Sequence, residues 1–314
     1  MNDSHLDKKA LEIADRVGVW AKKSFKWTLN THLGKFLKIV TQIAFYAVVF
    51  FFVFQILGSF HFFDNNEQVS SNGSSVSEAS NDDCSVVGIN LHGMLLTYIP
   101  DHSDNDSFFN YDVVASENIN GTIRTANEDP NIKAILIEVD SGGGVPVAGE
   151  EIAAALKNST KPTVALIRQT GASAAYWAIS SAGKIFASRN SDVGSIGVTS
   201  SYLDNTGKNA KDGYQYIPLT TGQFKDTGNP DKPVTQADKD LIMRDLKIVY
   251  RNFIEDVSKN RNIPVQKVEA MADGSTVLGV TAKADGLVDE IGGMPEVQKY
   301  LEEIIGEKPE ICWE

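Results

Sequence analysis

The chain has 314 residues, 42% of them apolar, and a formal net charge of −12 at pH 7. This length and apolar content are typical of a globular protein with a substantial core, so disorder can only be local. The acidic balance argues against nucleic acid as a partner, because phosphate binding needs clustered Lys and Arg.

An apolar run near the N-terminus, Ile39–Leu57, predicts one transmembrane helix. Its nineteen residues carry no charge, and at about 1.5 Å per residue they are long enough to cross a bilayer core of roughly 30 Å. Two alternatives are disfavoured. A buried helix of a soluble protein is seldom so aromatic, and a cleaved signal peptide would need small residues before the cut. Five lysines precede the run closely, whereas no Lys or Arg follows it until Arg124. The positive-inside rule therefore predicts a cytoplasmic N-terminus.

The composition divides the chain into four parts. Residues 1–38 form a basic cytoplasmic leader, which contains either an amphipathic helix on the inner leaflet or a solvated helix. Residues 39–60 form the anchor in the inner (cytoplasmic) membrane. Residues 61–85 form a flexible Ser/Asn-rich tether with too little apolar surface to pack. Residues 86–314 form the extracytoplasmic domain.

Strands and helices are predicted to alternate along this last domain. Strands are predicted for SVVGINLHGML, IKAILIEVD, PTVALIR and KIFAS, and helices for YDVVASENINGTIRTANED, VAGEEIAAALKNS and the residues after Ser173. The remainder is mainly helical, apart from the predicted strand YQYIPL. Such alternation predicts an α/β domain with parallel strands and crossover helices.

One serine, Ser173 in RQTGASAAYWAIS, is a candidate nucleophile at the junction of a strand and a helix. A serine at this position is most often only a helix cap. The glycine run DSGGGV at residues 140–145 also follows a strand, and the loops at the carboxyl ends of parallel strands meet at the ligand crevice. The backbone N–H groups of Gly144 and Ala174 could then form an oxyanion hole. The alternative is that the glycine run is a simple tight turn.

The group that accepts the proton of Ser173 is less evident. No histidine follows His102, so a Ser-His-Asp triad would have to use His92 or His102. With few histidines and two cysteines, neither a metal site nor a cofactor is expected. A lysine can serve instead if burial removes its proton, and Lys225 lies in a Gly-rich loop after YQYIPL. Three other lysines are predicted to be solvated on a long helix: Lys239, Lys247 and Lys259.

Five motifs, in this order, resemble the membrane-anchored signal peptide peptidase A family of serine proteases: DSGGGV, GASAAYW, VGSIGV, GQFKDTG and TAKADGLVDEIGG. They cover about residues 86–300. The resemblance implies a fold of the Clp protease and crotonase type. It also implies that Ser173 is the nucleophile and Lys225 the general base, that Ser195 orients the lysine amine, and that Gly144 faces the oxyanion.

The chain departs from the family pattern at two places. The family's motif is Ser-Pro-Gly-Gly, and in this chain Gly142 occupies the position of the proline. The loss of the proline makes the loop looser. Ala174 and Ala175 replace two glycines after the nucleophile, so that methyl groups are added near the oxyanion site.

The resemblance implies an endopeptidase that forms an acyl-enzyme and hydrolyses hydrophobic peptides, such as cleaved signal peptides or fragments of membrane proteins. It further implies a homo-oligomer with shared active sites, held in the lipid bilayer by residues 39–57. Two alternatives are a serine-lysine protease of the type associated with stomatin-like scaffolds, and a catalytically silent member that binds membrane peptides. Cys84 and Cys312 flank the domain and could either form a disulfide outside the cytoplasm or remain free thiols.

Overall fold

The computed structural model describes residues 84–99 and 112–314, together with the single residue Gln42. The predicted leader, the anchor apart from Gln42, most of the tether and His102 lie outside the described residues. Contacts divide the chain into Met1–Val76 and Ser77–Glu314, and the fold given below is that of the second unit. Within the described ranges, no helix is both long and apolar enough to cross a membrane.

A mostly parallel sheet forms the centre of this unit. Its described strands are β1 Val86–Leu96, β2 Val113–Ala115, β3 Ala134–Gly144, β4 Thr163–Ala172, β5 Lys184–Ala187, β6 Asp192–Gly194, β7 Thr276–Leu278, β8 Glu290–Ile291 and β9 Ile311–Trp313. The order is β2-β1-β3-β4-β5-β8, with β9 also beside β1 and β6 also beside β4. Among the described pairs, β6 with β7 is antiparallel and the others are parallel.

Helices cover both faces of the sheet. The described helices are α1 Ser116–Glu128, α2 Pro146–Lys157, α3 Ala174–Ile179, α4 Thr206–Asp212, α5 Gln236–Arg261, α6 Val265–Met271, α7 Gly279–Asp285 and α8 Met294–Ile305. The apolar run of β3 is buried on both sides, as expected of a central parallel strand. One side packs with α1, α2, α3 and α5. On the other side, Leu136 and Leu166 pack with Val297 and Leu301 of α8.

The alternation predicted from the sequence is confirmed, with local differences. Strand β3 continues through Ser141–Gly144 and β4 continues to Ala172, so the alternative interpretation of the glycine run as a simple tight turn is wrong. The predicted helix at Tyr111–Asp129 begins only at Ser116, because the preceding VVA pairs with β1. The strand predicted for YQYIPL is wrong, since residues 214–220 form no regular structure. The parallel-dominated α/β sheet fits a Clp protease-like fold.

Candidate active site

The backbone of Ser173 is held in an unusual conformation between β4 and α3. Its φ of 53° and ψ of −129° are rarely adopted by residues other than glycine. Its N–H donates to the carbonyl of Gly194 at 2.8 Å, and its carbonyl accepts from the N–H of Trp177 at 2.9 Å. The side chain forms no capping hydrogen bond. The capping interpretation is therefore wrong, and the hydroxyl remains for other chemistry. Such strain typically persists where the surroundings enforce it, often at functional sites.

The glycine run at the end of β3 lies directly against this serine. A Cβ built on Gly143 would stand 2.7 Å from the Cβ of Ser173 and 3.0 Å from the nitrogen of Ala174. Ser141 fixes the run, because its hydroxyl donates to the carbonyl of Gly93 at 2.6 Å and accepts from the N–H of Gly143 at 3.1 Å. Gly144 has no room for a side chain either, since the carbonyl of Leu95 occupies that position. Backbone thus approaches Ser173 where side chains would block it.

Four of the predicted site residues line one cavity of about 700 Å³: Gly144, Ser173, Ala174 and Ser195. Ala174 opens α3 in helical conformation, so that the added methyl leaves the backbone of the turn intact. Ala175 is fully buried and is not among the cavity-lining residues. Of the two alanines that replace family glycines, only Ala174 therefore narrows the cavity.

The hydroxyl of Ser195 is oriented within this cavity. Its backbone has a φ of 48°, its N–H donates to the carbonyl of Ser275 at 3.0 Å, and its Oγ donates to the carbonyl of Gly274 at 2.8 Å. Because the hydroxyl proton is thereby engaged, the lone pairs of Oγ remain as acceptors. A serine held in this way can accept a hydrogen bond from an amine that enters the cavity.

Lys225 is not among the described residues that line the cavity. It is exposed, in a turn where its N–H donates to the carbonyl of Gly222 at 3.2 Å. The segment just beyond it is fixed to α5, because the hydroxyl of Thr227 donates to Asp238 at 2.7 Å. Within one chain, the structure brings together Ser173, Gly144, Ala174 and Ser195, but it does not add Lys225 to them.

His92, the described histidine considered for a triad, lies elsewhere. Its Nε2 is 3.4 Å from a carboxylate oxygen of Glu138, which also binds Arg168 at 2.9 Å. His92 lines a second cavity with Gly142 and Gly143 rather than the cavity of Ser173. Within the described part of the chain, no group of three or more His, Cys, Asp or Glu could hold a metal ion.

Sequence reasoning missed the contribution of α5 to the cavity. The helix supplies Met243, Leu246, Lys247, Tyr250 and Phe253, whose spacing of three or four residues marks a single helical face. The ring of Phe253 stacks on Trp177 with 4.5 Å between centroids. The spacing was readable in the sequence, but nothing there indicated that this face turns towards Ser173.

The two cysteines are joined at the far end of the sheet. Cys84 and Cys312 form a disulfide with 5.9 Å between the Cα atoms. The bond connects Cys84, two residues before the start of β1, to β9, which pairs with β1 in parallel from Val86 to Gly88. The first and last described strands are thus fastened side by side.

The parallel sheet and the serine at the carboxyl end of β4 fit the class of Clp protease-like α/β proteins. Residues 155–306 match the model of peptidase family S49. This segment includes Ser173, Ser195 and Lys225, whereas Gly144 precedes it.

Three relatives agree with this match. A candidate protease of Methanocaldococcus jannaschii is 32% identical over 187 residues, which are 59% of this chain and 60% of the relative. Protease 4 of Haemophilus influenzae is 28% identical over 70% of this chain and 35% of its own length. A protein of Enterococcus faecium named as a candidate signal peptide peptidase SppA is 32% identical over 54% of this chain and 50% of its own length. The chain thus spans between about a third and three fifths of these relatives.

The match to peptidase family S49 over residues 155–306 and the relatives named protease 4 and SppA confirm the resemblance to the signal peptide peptidase A family.

Proposed function

We propose that the chain is a membrane-anchored serine endopeptidase with Ser173 as nucleophile and Lys225 as general base. The observation that carries the proposal is the strained backbone of Ser173, whose side chain makes no capping hydrogen bond with the helix that follows it. Ser173 lines one cavity together with Gly144, Ala174 and Ser195. Neither a cap nor a structural turn would need this arrangement.

The proposed reaction passes through an acyl-enzyme. Neutral Lys225 takes the proton of the Ser173 hydroxyl as Oγ attacks the scissile carbonyl, and the N–H groups of Gly144 and Ala174 donate to the oxyanion. The lysine then gives this proton to the leaving amine, which departs as the acyl-enzyme forms. Water, deprotonated by Lys225, attacks the ester, and the proton returns to Ser173 as the acid product leaves. Ser195 holds the amine in place by accepting one of its N–H groups.

In this proposal, the lysine comes from a neighbouring copy of the chain. The segment that carries Lys225 is exposed and apolar: Tyr214 is 72%, Ile217 68% and Leu219 94% exposed. Apolar side chains clustered on an exposed segment usually mark a surface covered by a partner. A homo-oligomer in which this segment reaches the adjacent cavity would bury the amine, and burial is what neutralises a lysine.

The proposed substrates are hydrophobic peptides, such as cleaved signal peptides or fragments of membrane proteins. The buried rings of Trp177 and Phe253 give the cavity an apolar floor. A relative named as a signal peptide peptidase supports this class. Residues 39–57 would hold the enzyme in the inner membrane, with the peptidase domain outside the cytoplasm.

Labelling with a fluorophosphonate tests the proposal, using the full chain in detergent micelles. We expect the probe to modify Ser173 in the wild type and to fail with Ser173→Ala. We also expect Lys225→Ala to lower the labelling rate at least about a hundredfold, the usual worth of a general base. Lys225→Arg should be equally slow, because arginine stays charged. Lys211→Ala removes another exposed lysine and serves as the matched control. Wild-type labelling in Lys225→Ala would overturn the dyad.

One observation favours a second candidate function. Since Lys225 does not line the cavity within one chain, a catalytically silent member that only binds membrane peptides would show the same arrangement. Such a protein would bind hydrophobic peptides without cleaving them, and its Ser173 would not react with the probe.

A further inference from the structure

The cavity of Ser173 carries one cation on its α5 side. Lys247 lies on the same helical face as Met243, Leu246 and Tyr250, all of which line the cavity. Of the described lining residues, Lys247 is the only Lys, Arg or His. Burial increases along this face from Met243, which is 47% exposed, to Phe253, which is 1% exposed. The charge therefore belongs to the wide, solvated part of the cavity rather than to its apolar floor.

No partner within the described residues neutralises this charge. The ammonium of Lys247 forms neither a hydrogen bond nor an ion pair with any of them, unlike those of Lys184 and Lys283, which both bind Glu290. The acidic residue of the cavity, Asp273, is engaged by Ser275, whose N–H and hydroxyl donate at 2.9 and 2.6 Å. The hydroxyl hydrogen bond, above all, lowers the pKa of Asp273. A free ammonium and an engaged carboxylate are thus present on the walls of one cavity.

We propose that Lys247 is a specificity-determining residue that binds a carboxylate of the peptide substrate. The inference rests on the proposed function, because it requires a peptide whose scissile carbonyl lies at Ser173. An exposed ammonium is a solvated cation, so its role is to attract a charge rather than to accept the proton of Ser173. The carboxylate is that of an acidic side chain or of a free C-terminus. In the second case, the substrate is the product of an earlier endoproteolytic cut.

Matched peptides distinguish these sources. Internally quenched peptides that are identical except for Glu, Gln or Lys at one scanned position give the ratios of kcat/KM for a side chain. A pair that ends in a carboxylate or a carboxamide gives the ratio for the C-terminus. The enzymes are the full-length wild type, Lys247→Ala, Lys247→Glu and Lys247→Arg. Lys239→Ala serves as the control, because Lys239 is exposed on the same helix but does not line the cavity.

We expect the wild type to prefer the carboxylate peptide over its neutral partner by about 1.5- to fivefold, the usual range for a solvated ion pair. Lys247→Ala should abolish this preference, mainly through KM, and Lys247→Arg should retain it. Lys247→Glu should instead favour the peptide with Lys. Raising the salt concentration should weaken the wild-type preference, because solvated charges are screened.

Equal ratios in the wild type and in Lys247→Ala for both peptide series would overturn the inference. So would a Lys247→Ala variant that slows all peptides by the same factor, since a structural role predicts that result. Cleavage of the neutral peptides by the wild type separates this outcome from failure of the proposed function, in which no peptide would be cleaved.

Discussion

Gly143 lies so close to Ser173 that a Cβ built on the glycine would stand 2.7 Å from the Cβ of the serine. The φ of Gly143 is 107°, a conformation that strains any other residue. Gly143→Ala should therefore displace Ser173 and lower its rate of fluorophosphonate labelling at least about a hundredfold, since small misplacements of reacting groups have effects of this size. Gly142→Ala is the control, because a Cβ there meets nothing within 4 Å. Equal labelling of both variants would contradict the proposed constraint.

Much of the fold was readable from the sequence because its strands are apolar runs between amphipathic helices. The pattern does not reveal where a strand ends, however. The run Ser141–Gly144 has the composition of a turn, and yet it extends β3 because Gly144 pairs with Leu95 of β1. Conversely, YQYIPL has the composition of a strand but finds no strand to pair with in the described part of the chain. In both places tertiary contacts override local preference.

The candidate site was predictable to the extent that it depends on local sequence. Gly144 is the last residue of β3 and Ser173 directly follows β4, and the carboxyl ends of neighbouring parallel strands bring such residues together. Neither the positive φ of Ser173 nor the cavity-facing position of Lys247 has a signal in composition or spacing. In our proposal, Lys225 approaches Ser173 of a neighbouring copy through contacts between chains. No periodicity in the sequence indicates such contacts.

A shared active site predicts complementation between two inactive variants. Neither Ser173→Ala nor Lys225→Ala should cleave peptides alone. When they are co-expressed, each site combines a serine from one copy with a lysine from the next, so that random mixing restores about a quarter of the sites. Peptide cleavage by the mixed oligomer measures this recovery. The double variant mixed with wild type provides the reference for random assembly, and no recovery in assembled mixtures would show that the sites are not shared.

Ser195 permits a test that separates activity from stability. Glycine adopts its φ of 48° without strain, which offsets the loss of the hydrogen bond to Gly274, so Ser195→Gly should unfold near the wild-type temperature. The same substitution removes the hydroxyl proposed to orient the lysine amine. We expect kcat to fall by about ten- to a hundredfold, the effect of losing a hydrogen bond to a charged or strongly polar group. Unchanged kcat in a folded Ser195→Gly variant would remove Ser195 from the mechanism.

Asp238 accepts a hydrogen bond from Thr227, just beyond Lys225, so its titration should determine how acid affects the segment that carries Lys225. Hydrogen bonds, first from the hydroxyl of Thr227 and then from Thr235, lower the pKa of Asp238 from 3.8 to about 2. Because the pKa in the folded state is the lower one, the carboxylate stabilises the fold above pH 3.8, and this contribution is lost as the pH falls towards 2. Asp238→Asn should therefore be less stable than the wild type at neutral pH.

Unfolding by urea between pH 6 and about pH 2 measures this effect. The difference in unfolding free energy between the wild type and Asp238→Asn should shrink as the pH falls from 3.8 towards 2. Asp240→Asn is the control, since Asp240 is exposed on the same helix and, among the described residues, its carboxylate bonds only with the Gln236 side chain. A difference that stayed constant with pH would mean that titration of Asp238 does not support the segment.

The disulfide between Cys84 and Cys312 should stabilise the domain without taking part in catalysis. The bond closes a loop with a sequence separation of 228 residues and fastens β9 to β1, and loss of such a bond typically costs about 2–4 kcal/mol. Cys84→Ser should therefore lower Tm by roughly 4–16 °C for a domain of this size. The double variant Cys84→Ser/Cys312→Ser should match the single one, because either change removes the same bond. A reductant should lower the Tm of the wild type alone. If it lowered the Tm of all three proteins equally, the stabilisation would have a source other than this bond.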